Sequence, residues 1–266
     1  MSTRSSKRQP LRWILALLLL AVAGLAAFGA YEYTTLPDVG DLAKRNPEKV
    51  AIWEQRTAEA RAAGKRARRH QVWVELNDIA PRVAEAVLIS EDAGFYGHDG
   101  VDLGELKVAL VEAWEQGQLG RGASTITQQL AKNLYLSQDR SLLRKAKELV
   151  LAKRLEQKLS KKRILSLYLN IVEWGNGVYG VEAAAREHFR VGAKGLSTAQ
   201  AAILAAMLPN PRQWTPASGS QVLRTRSLRI VDRLEQTGRI QPADANSARA
   251  EVEAILDLAS GKLVVE

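Results

Sequence analysis

The chain has 266 residues, a net charge of +9 at pH 7, 46% apolar residues and no cysteine. Without cysteine there is no disulfide scaffold, and the apolar share supports a sizeable core. The basic excess is concentrated, nine Lys/Arg against three acids in residues 44–70 and eleven against three in residues 132–163, which points to an anionic partner, either nucleic acid or phosphate groups at a membrane.

The N-terminal segment decides between those partners. Residues 13–30, WILALLLLAVAGLAAFGA, contain no charge and no proline. As a helix they cover about 27 Å, and extension to Tyr33 reaches the ~30 Å hydrocarbon thickness of a bilayer. Trp13 at one end and Tyr31 and Tyr33 at the other suit the two interfaces. Arg4, Lys7, Arg8 and Arg12 precede the span and favour an N-terminus in the cytoplasm with a translocated body. A cleavable signal peptide is the rival, since Ala21, Val22 and Ala23 resemble a cleavage site, but the apolar run continues well past them. The expected layout is therefore a basic cytoplasmic tail (1–12), a single inner-membrane span (13–33), a charged connector (34–70) and a periplasmic body (71–266). In that compartment anionic lipid headgroups and lipid-linked pyrophosphates replace nucleic acid as the partners.

The connector is Ala-rich and reads as helical in part. Residues 71–77 alternate Val72, Val74 and Leu76 with polar residues, which predicts a strand. Pro81 suits a first helical position, opening a helix over 81–90 whose apolar run (Val83, Ala86, Val87, Leu88, Ile89) leads into Glu91. Asp102 and Glu105 form an acidic capping box for a helix to about residue 118. Further helices follow at 141–159 and 161–170. Ser197 and Gln200 cap an apolar run over 201–208, which Pro209 and Pro211 stop. The last two helices are 220–237, ended by Gly238, and 242–258. The class is mainly α.

Three blocks carry chemistry. Residues 90–102, SEDAGFYGHDGVD, place the carboxylate of Glu91 at the end of an apolar helix and before a Gly-rich turn, an arrangement that suits acid/base work; a plain helix end with a polar loop is the alternative. GASTITQQLAKNLYL follows from Gly122. There a loop with Gly117, Gly120 and Gly122 enters Ser124, a good N-cap, and a helix with Thr125, Thr127, Gln128, Gln129, Lys132 and Asn133. So many hydrogen-bonding side chains on one helix suit a bound sugar or phosphate. In RKAKE (144–148), Arg144 and Glu148 stand at i and i+4 on one helix face, either as a surface ion pair or as part of a site.

Taken in order with YLNIVEWGNGVYG from Tyr168 and AAILAAMLPNP from Ala201, these blocks resemble the successive motifs of the peptidoglycan glycosyltransferases (family 51). The resemblance spans roughly residues 75–215 and is closest to the monofunctional members, which carry this domain behind a membrane anchor. It implies a lysozyme-like, two-lobed domain that joins lipid II units into a β-1,4 glycan strand and releases polyprenyl diphosphate. It also implies lipid II, the nascent strand, membrane lipids and other cell-wall synthesis proteins as partners.

By the same motif matching, Glu91 is the general base for the acceptor hydroxyl. Lys132, Arg144 and Lys145 face the diphosphate, and Glu148 is the second important glutamate. Asp92, Phe95, His98, Ser124, Thr125, Gln128, Gln129 and Asn133 complete the expected substrate-binding set. No metal ligand is assigned; a divalent cation (Mg or Mn) near the diphosphate is the one cofactor considered, with Glu148 a candidate to hold it. Tyr168, Asn170 and Glu173 are expected to shape the core and cleft floor. A lytic enzyme on the same glycan is the competing function, but it has no use for three phosphate-directed cations. A transpeptidase domain is not expected, since there is no SxxK or KTG motif and about fifty residues follow Pro211. Two departures from the family pattern stand out. Ala123 replaces a common glycine, and EHFR (187–190) stands where aromatic-Phe-Gly is commoner, which puts His188 and Arg190 in unusual places.

Overall fold

In the computed structural model, residues 8–116, 124–139, 141–259 and 261 are described. Arg4, Lys7, Gly117, Gly120, Gly122 and Ala123 lie outside them, as do the expected last residues, 117 and 118, of the helix after Asp102. The chain divides into two units, residues 1–38 and 39–266. The first is built on α1 (Arg8–Thr35), 28 residues and hence about 42 Å long. Trp13, Leu15, Leu17, Leu20 and Phe28 are all exposed along it. An uncovered apolar column of that length suits lipid rather than water. It is the one helix long and apolar enough to cross a membrane among the described residues.

The second unit is mainly helical, as expected. Its elements are α2 (Ala51–Ala62), β1 (His70–Gln71), α3 (Pro81–Glu91), α4 (Leu103–Gln116), α5 (Ile126–Tyr135), α6 (Leu142–Lys158), α7 (Lys161–Ile171), β2 (Glu173–Gly175), β3 (Val178–Tyr179), α8 (Val181–Phe189), α9 (Thr198–Met207), α10 (Gln221–Gln236) and α11 (Pro242–Ala259). They form two groups. In one, α9 packs on α3, α10 and α11; in the other, α5 packs on α2, α6 and α7; α8 and the small sheet join them. The Ala-rich α9 is buried over nearly its whole length, because its small side chains let three helices approach one axis.

Local signals start these helices where the sequence places them. Pro81 occupies the first turn of α3. Ser141 accepts from the backbone N–H of Arg144, Ser160 from that of Arg163, and Ser197 forms a full capping box with Gln200. Each cap contributes about 1 kcal/mol.

The strand expected over 71–77 is much shorter. Only His70 and Gln71 pair, in parallel with Val178 and Tyr179, and a 3₁₀ turn takes over at Leu76–Asp78. The cause is Asn170. Its side chain accepts from Val74 N at 2.9 Å and donates to Val74 O at 3.0 Å, so an amide replaces a strand neighbour. The antiparallel hairpin of β2 and β3 was not expected at all. It leads into Gly180, where φ is +78° and a Cβ would meet Asn170 O at 2.6 Å. The segment read as a connector joins the body from Val39 onward. Val39, Leu42, Val50, Ile52 and Trp53 are buried, Trp53 Nε1 donates to Ile171 O at 3.3 Å, and Arg163 donates to the carbonyls of Leu42 and Arg45, both at 2.7 Å.

The two unusual residues of EHFR now have structural roles. Arg190 ends α8 in the left-handed region with φ of 61°, a conformation that strains any residue with a Cβ. Hence glycine is the unstrained choice there. His188 is largely buried and donates from Nε2 to Trp174 O at 2.8 Å. Burial pushes its pKa below 6.5, with the Trp174 hydrogen bond opposing. Arg190→Gly is expected to stabilise the fold by about 1 kcal/mol, seen as a higher thermal midpoint in detergent; an unchanged midpoint counts against strain. Because the folded-state value of His188 is depressed, its contribution is complete above the unfolded value of 6.5 and is lost as pH falls below it. His188→Gln should therefore flatten the acid-side fall of the thermal midpoint relative to the parent protein.

Candidate active site

The site begins where α3 ends. Glu91 is its last residue, and Asp92 leaves the helix with its side chain turned inward. One Asp92 oxygen accepts from His98 Nε2 at 2.9 Å and the other from the backbone N–H of Ile126, the first residue of α5, also at 2.9 Å. His98 Nδ1 accepts from Gly100 N at 3.2 Å, so the ring proton sits on Nε2. Gly100 O in turn accepts from Thr125 Oγ1 at 2.7 Å and Gln128 Nε2 at 3.1 Å. Gly100 has φ of +89°, and a Cβ there would lie 3.3 Å from the Ala152 backbone of α6. Beneath the loop, Phe95 is fully buried with Lys161 Nζ 4.4 Å from its ring centre. That lysine donates to His98 O at 2.6 Å and pairs with Glu156 at 2.7 Å.

The α5 N-cap is Thr125 rather than Ser124, one residue later than expected; Thr125 Oγ1 accepts from Gln128 N while donating to Gly100 O. Ser124 Oγ instead accepts from Lys145 Nζ at 3.0 Å. Two adjacent glutamines then face different ways. Gln129 Nε2 donates to Glu91 Oε2 at 3.0 Å, and Gln128 Oε1 accepts from Lys145 Nζ at 3.0 Å. The buried Glu148 binds Arg144 with one oxygen and Lys145 with the other, the latter at 2.5 Å.

Lys132 joins the two sides. Burial lowers its pKa below the usual lysine value; the charges of Glu148 and Glu91 oppose that shift, while Arg144 and Lys145 add to it. One ammonium thus lies in the field of both carboxylates. Among the described residues, Glu91 hydrogen-bonds only to neutral donors, Gln129 and, at 3.3 Å, Ser90 Oγ.

The structure therefore gathers Glu91, Ser124, Gln128, Gln129, Lys132, Arg144, Lys145 and Glu148 around α5. Asp92 and Thr125 clamp α5 to the loop, and Phe95 and His98 pack below it. Asn133 is buried on the same helix. Arg233, from α10, lines the cavity of about 100 Å³ at Glu91 together with Asp102 and Glu105. It escaped the sequence reading because it sits far along the chain on an ordinary basic amphipathic helix.

A resident divalent cation does not fit the donors present. Asp92, His98 and Asp102 bring ligand atoms within 4.8 Å of one another. Yet both His98 nitrogens are engaged, Asp92 uses both oxygens, and Asp102 Oδ1 accepts from Glu105 N. Both oxygens of Glu148, considered as a candidate metal ligand, are already held by cations.

A carboxylate that meets neutral donors on one side of a helix, and cations gathered on the other, form a polar site on a helical scaffold with the groups that acid–base and electrostatic catalysis use. The transglycosylase family model matches residues 57–235, and the chain belongs to that family. It is 48% identical over 164 residues to the biosynthetic peptidoglycan transglycosylase of Methylobacillus flagellatus, covering 62% of this chain and 71% of that one. The protein of the same name from Bordetella avium is 42% identical over 217 residues (80% and 90%), and that from Bordetella pertussis 41% over 228 residues (84% and 94%). Penicillin-binding protein 1A from Haemophilus influenzae aligns with 69% of this chain and 18% of its own, at 18% identity and a TM-score of 0.41.

Asp92→Asn sets an amide donor against either Ile126 N–H or His98 Nε2–H. It is expected to destabilise the fold by about 1–3 kcal/mol, measured by denaturant unfolding in detergent. A loss of activity with unchanged stability would contradict the clamp.

Proposed function

We propose that the chain polymerises lipid II into a β-1,4-linked glycan strand with release of polyprenyl diphosphate. The observation that carries this reading is the partition of charge across α5, together with the family match. The acceptor 4-hydroxyl is a weak acid, and it becomes a nucleophile as Glu91 takes its proton. The hydroxyl oxygen bonds to the donor C1, the bond from C1 to the diphosphate oxygen breaks, and the electron pair leaves with the diphosphate. Lys132, Arg144 and Lys145 compensate the charge that develops there. Charge-assisted contacts of this kind contribute about 1.5–3 kcal/mol each when desolvated. Glu148 holds Arg144 and Lys145 side by side, because its own oxygens are both engaged, and so sets their spacing. Ser124 and Gln128 fix the lysine from the other side.

This reading puts α1 in the inner membrane with the N-terminus in the cytoplasm and the catalytic unit outside. There the basic stretches face anionic headgroups, and the chain works beside other cell-wall synthesis proteins.

Glu91→Gln should lower polymerisation of labelled lipid II by about 10²–10⁴-fold while leaving the thermal midpoint in place. Retained polymerisation would remove Glu91 from its role. Lys132→Met replaces a desolvated ammonium by an apolar chain of similar length, so the fold should be as stable or more stable while polymerisation is lost. Parallel loss of stability and activity would make this lysine structural.

A further inference from the structure

We propose that Tyr168 is a positioning residue, whose hydroxyl holds the Gln129 amide in the one orientation that presents an N–H to the Glu91 carboxylate. The inference rests on the proposed role of Glu91 as base and adds a residue that orients it.

The geometry is a short relay from the core of α7 to the cleft. Tyr168 is fully buried. Its hydroxyl donates to Gln129 Oε1 at 2.9 Å, and Gln129 Nε2 donates to Glu91 Oε2 at 3.0 Å. A glutamine amide has two ends of nearly equal size, one accepting and one donating. Turned over, it would set Oε1 against the Glu91 carboxylate, acceptor against acceptor, an arrangement that only a protonated Glu91 tolerates. The phenol disfavours the turn: its oxygen could accept from Nε2, but its buried proton would then lose its only acceptor, and Nε2 would also leave Ser124 O, 3.5 Å away. Burial, with the charges of Glu91 and Asp92, raises the phenol's own pKa well above 10, so it remains a donor across the working range. An N–H fixed on a carboxylate favours its ionised form.

Other charged groups face the same base. Asp92 follows it, Asp102 and Glu105 line its cavity from the loop and α4, Lys132 approaches from α5, and Arg233 lines the cavity from α10. The packed helix α9 contributes no charged side chain. None of these groups hydrogen-bonds Glu91 among the described residues. The relay thus orients one oxygen of this carboxylate from the core, while Ser90 Oγ reaches the other at 3.3 Å.

Tyr168→Phe removes one oxygen and frees the amide to turn whenever Glu91 binds a proton. The expected result is an acid limb of the kcat/KM profile for lipid II that moves up by about one pH unit, roughly a tenfold rate loss below neutrality that recovers at alkaline pH. KM should hold while kcat falls. Gln129→Met, which removes both ends of the amide, should move the limb in the same direction, and the double variant should move it no further. A profile for Tyr168→Phe that superposes on the parent profile overturns the proposal. So does an additive shift in the double variant, or, where the phenylalanine variant does not fold, an unmoved limb in Gln129→Met. Absence of polymerisation by the parent protein at every pH would instead strike the proposed activity.

Discussion

The site depends on one buried carboxylate. Asp92 joins the end of α3, where the base stands, to the first amide of α5, where the cleft wall begins, and its other oxygen holds His98 and through it the loop up to Gly100. Helix N-termini leave amide groups unpaired and carry partial positive charge. A carboxylate placed there satisfies a donor and meets a favourable field at once. Since Thr125 and Gln128 close back on Gly100 O, both ends of the loop are tied to the N-terminus of the helix. The base cannot drift from α5 without breaking charge-assisted bonds in a dry environment.

Much of this was legible in the chain before any coordinates. Pro81, Ser141 and the Ser197–Gln200 pair mark helix starts by backbone chemistry that acts within one turn, so distant contacts do not override it. The motif blocks around Glu91, Gln128 and Arg144 lie on or beside the elements they were assigned to. What could not be read depends on pairs far apart in sequence. The alternation of Val72, Val74 and Leu76 looks like a strand, yet the partner of Val74 is a side chain 96 residues away. Asn176 and Gly177, with Gly177 at φ +71°, are a local hairpin signal between β2 and β3 that the reading in chain order passed over, while Arg233 shows only its basic helix. The choice of Thr125 over Ser124 as cap depends on Gly100 O, 25 residues back. Arg190 is the reverse case. The sequence marked it as unusual, and the left-handed backbone gives the reason glycine would be easier there.

The cations are gathered at close quarters. Three of them, Lys132, Arg144 and Lys145, share one buried carboxylate, Glu148, so the cluster keeps a positive excess for an incoming anion. Lys145 is held by Ser124, Gln128 and Glu148 together, and it has little side-chain freedom left to lose on binding. Lys132 differs. Its burial disfavours the ammonium, so on the proposed reading an anion that replaces lost hydration with charge has most to offer at that position.

The two halves of the site also share a ruler. Gln128 and Gln129 are neighbours in the chain and, at 3.6 residues per turn, point about 100° apart. One reaches the cation cradle and the other the base, so their separation is a property of a single helix rather than of two lobes that move against each other. In the proposed reaction a proton leaves the acceptor on one side of the anomeric carbon and a diphosphate leaves on the other, which needs that distance constant through every turnover. Mutations that loosen α5 at its clamp should therefore disturb both half-reactions together. Those that strip a single contact from Gln129 or from Lys145 should disturb one and spare the other, which is the behaviour of two sites bolted to one rigid element.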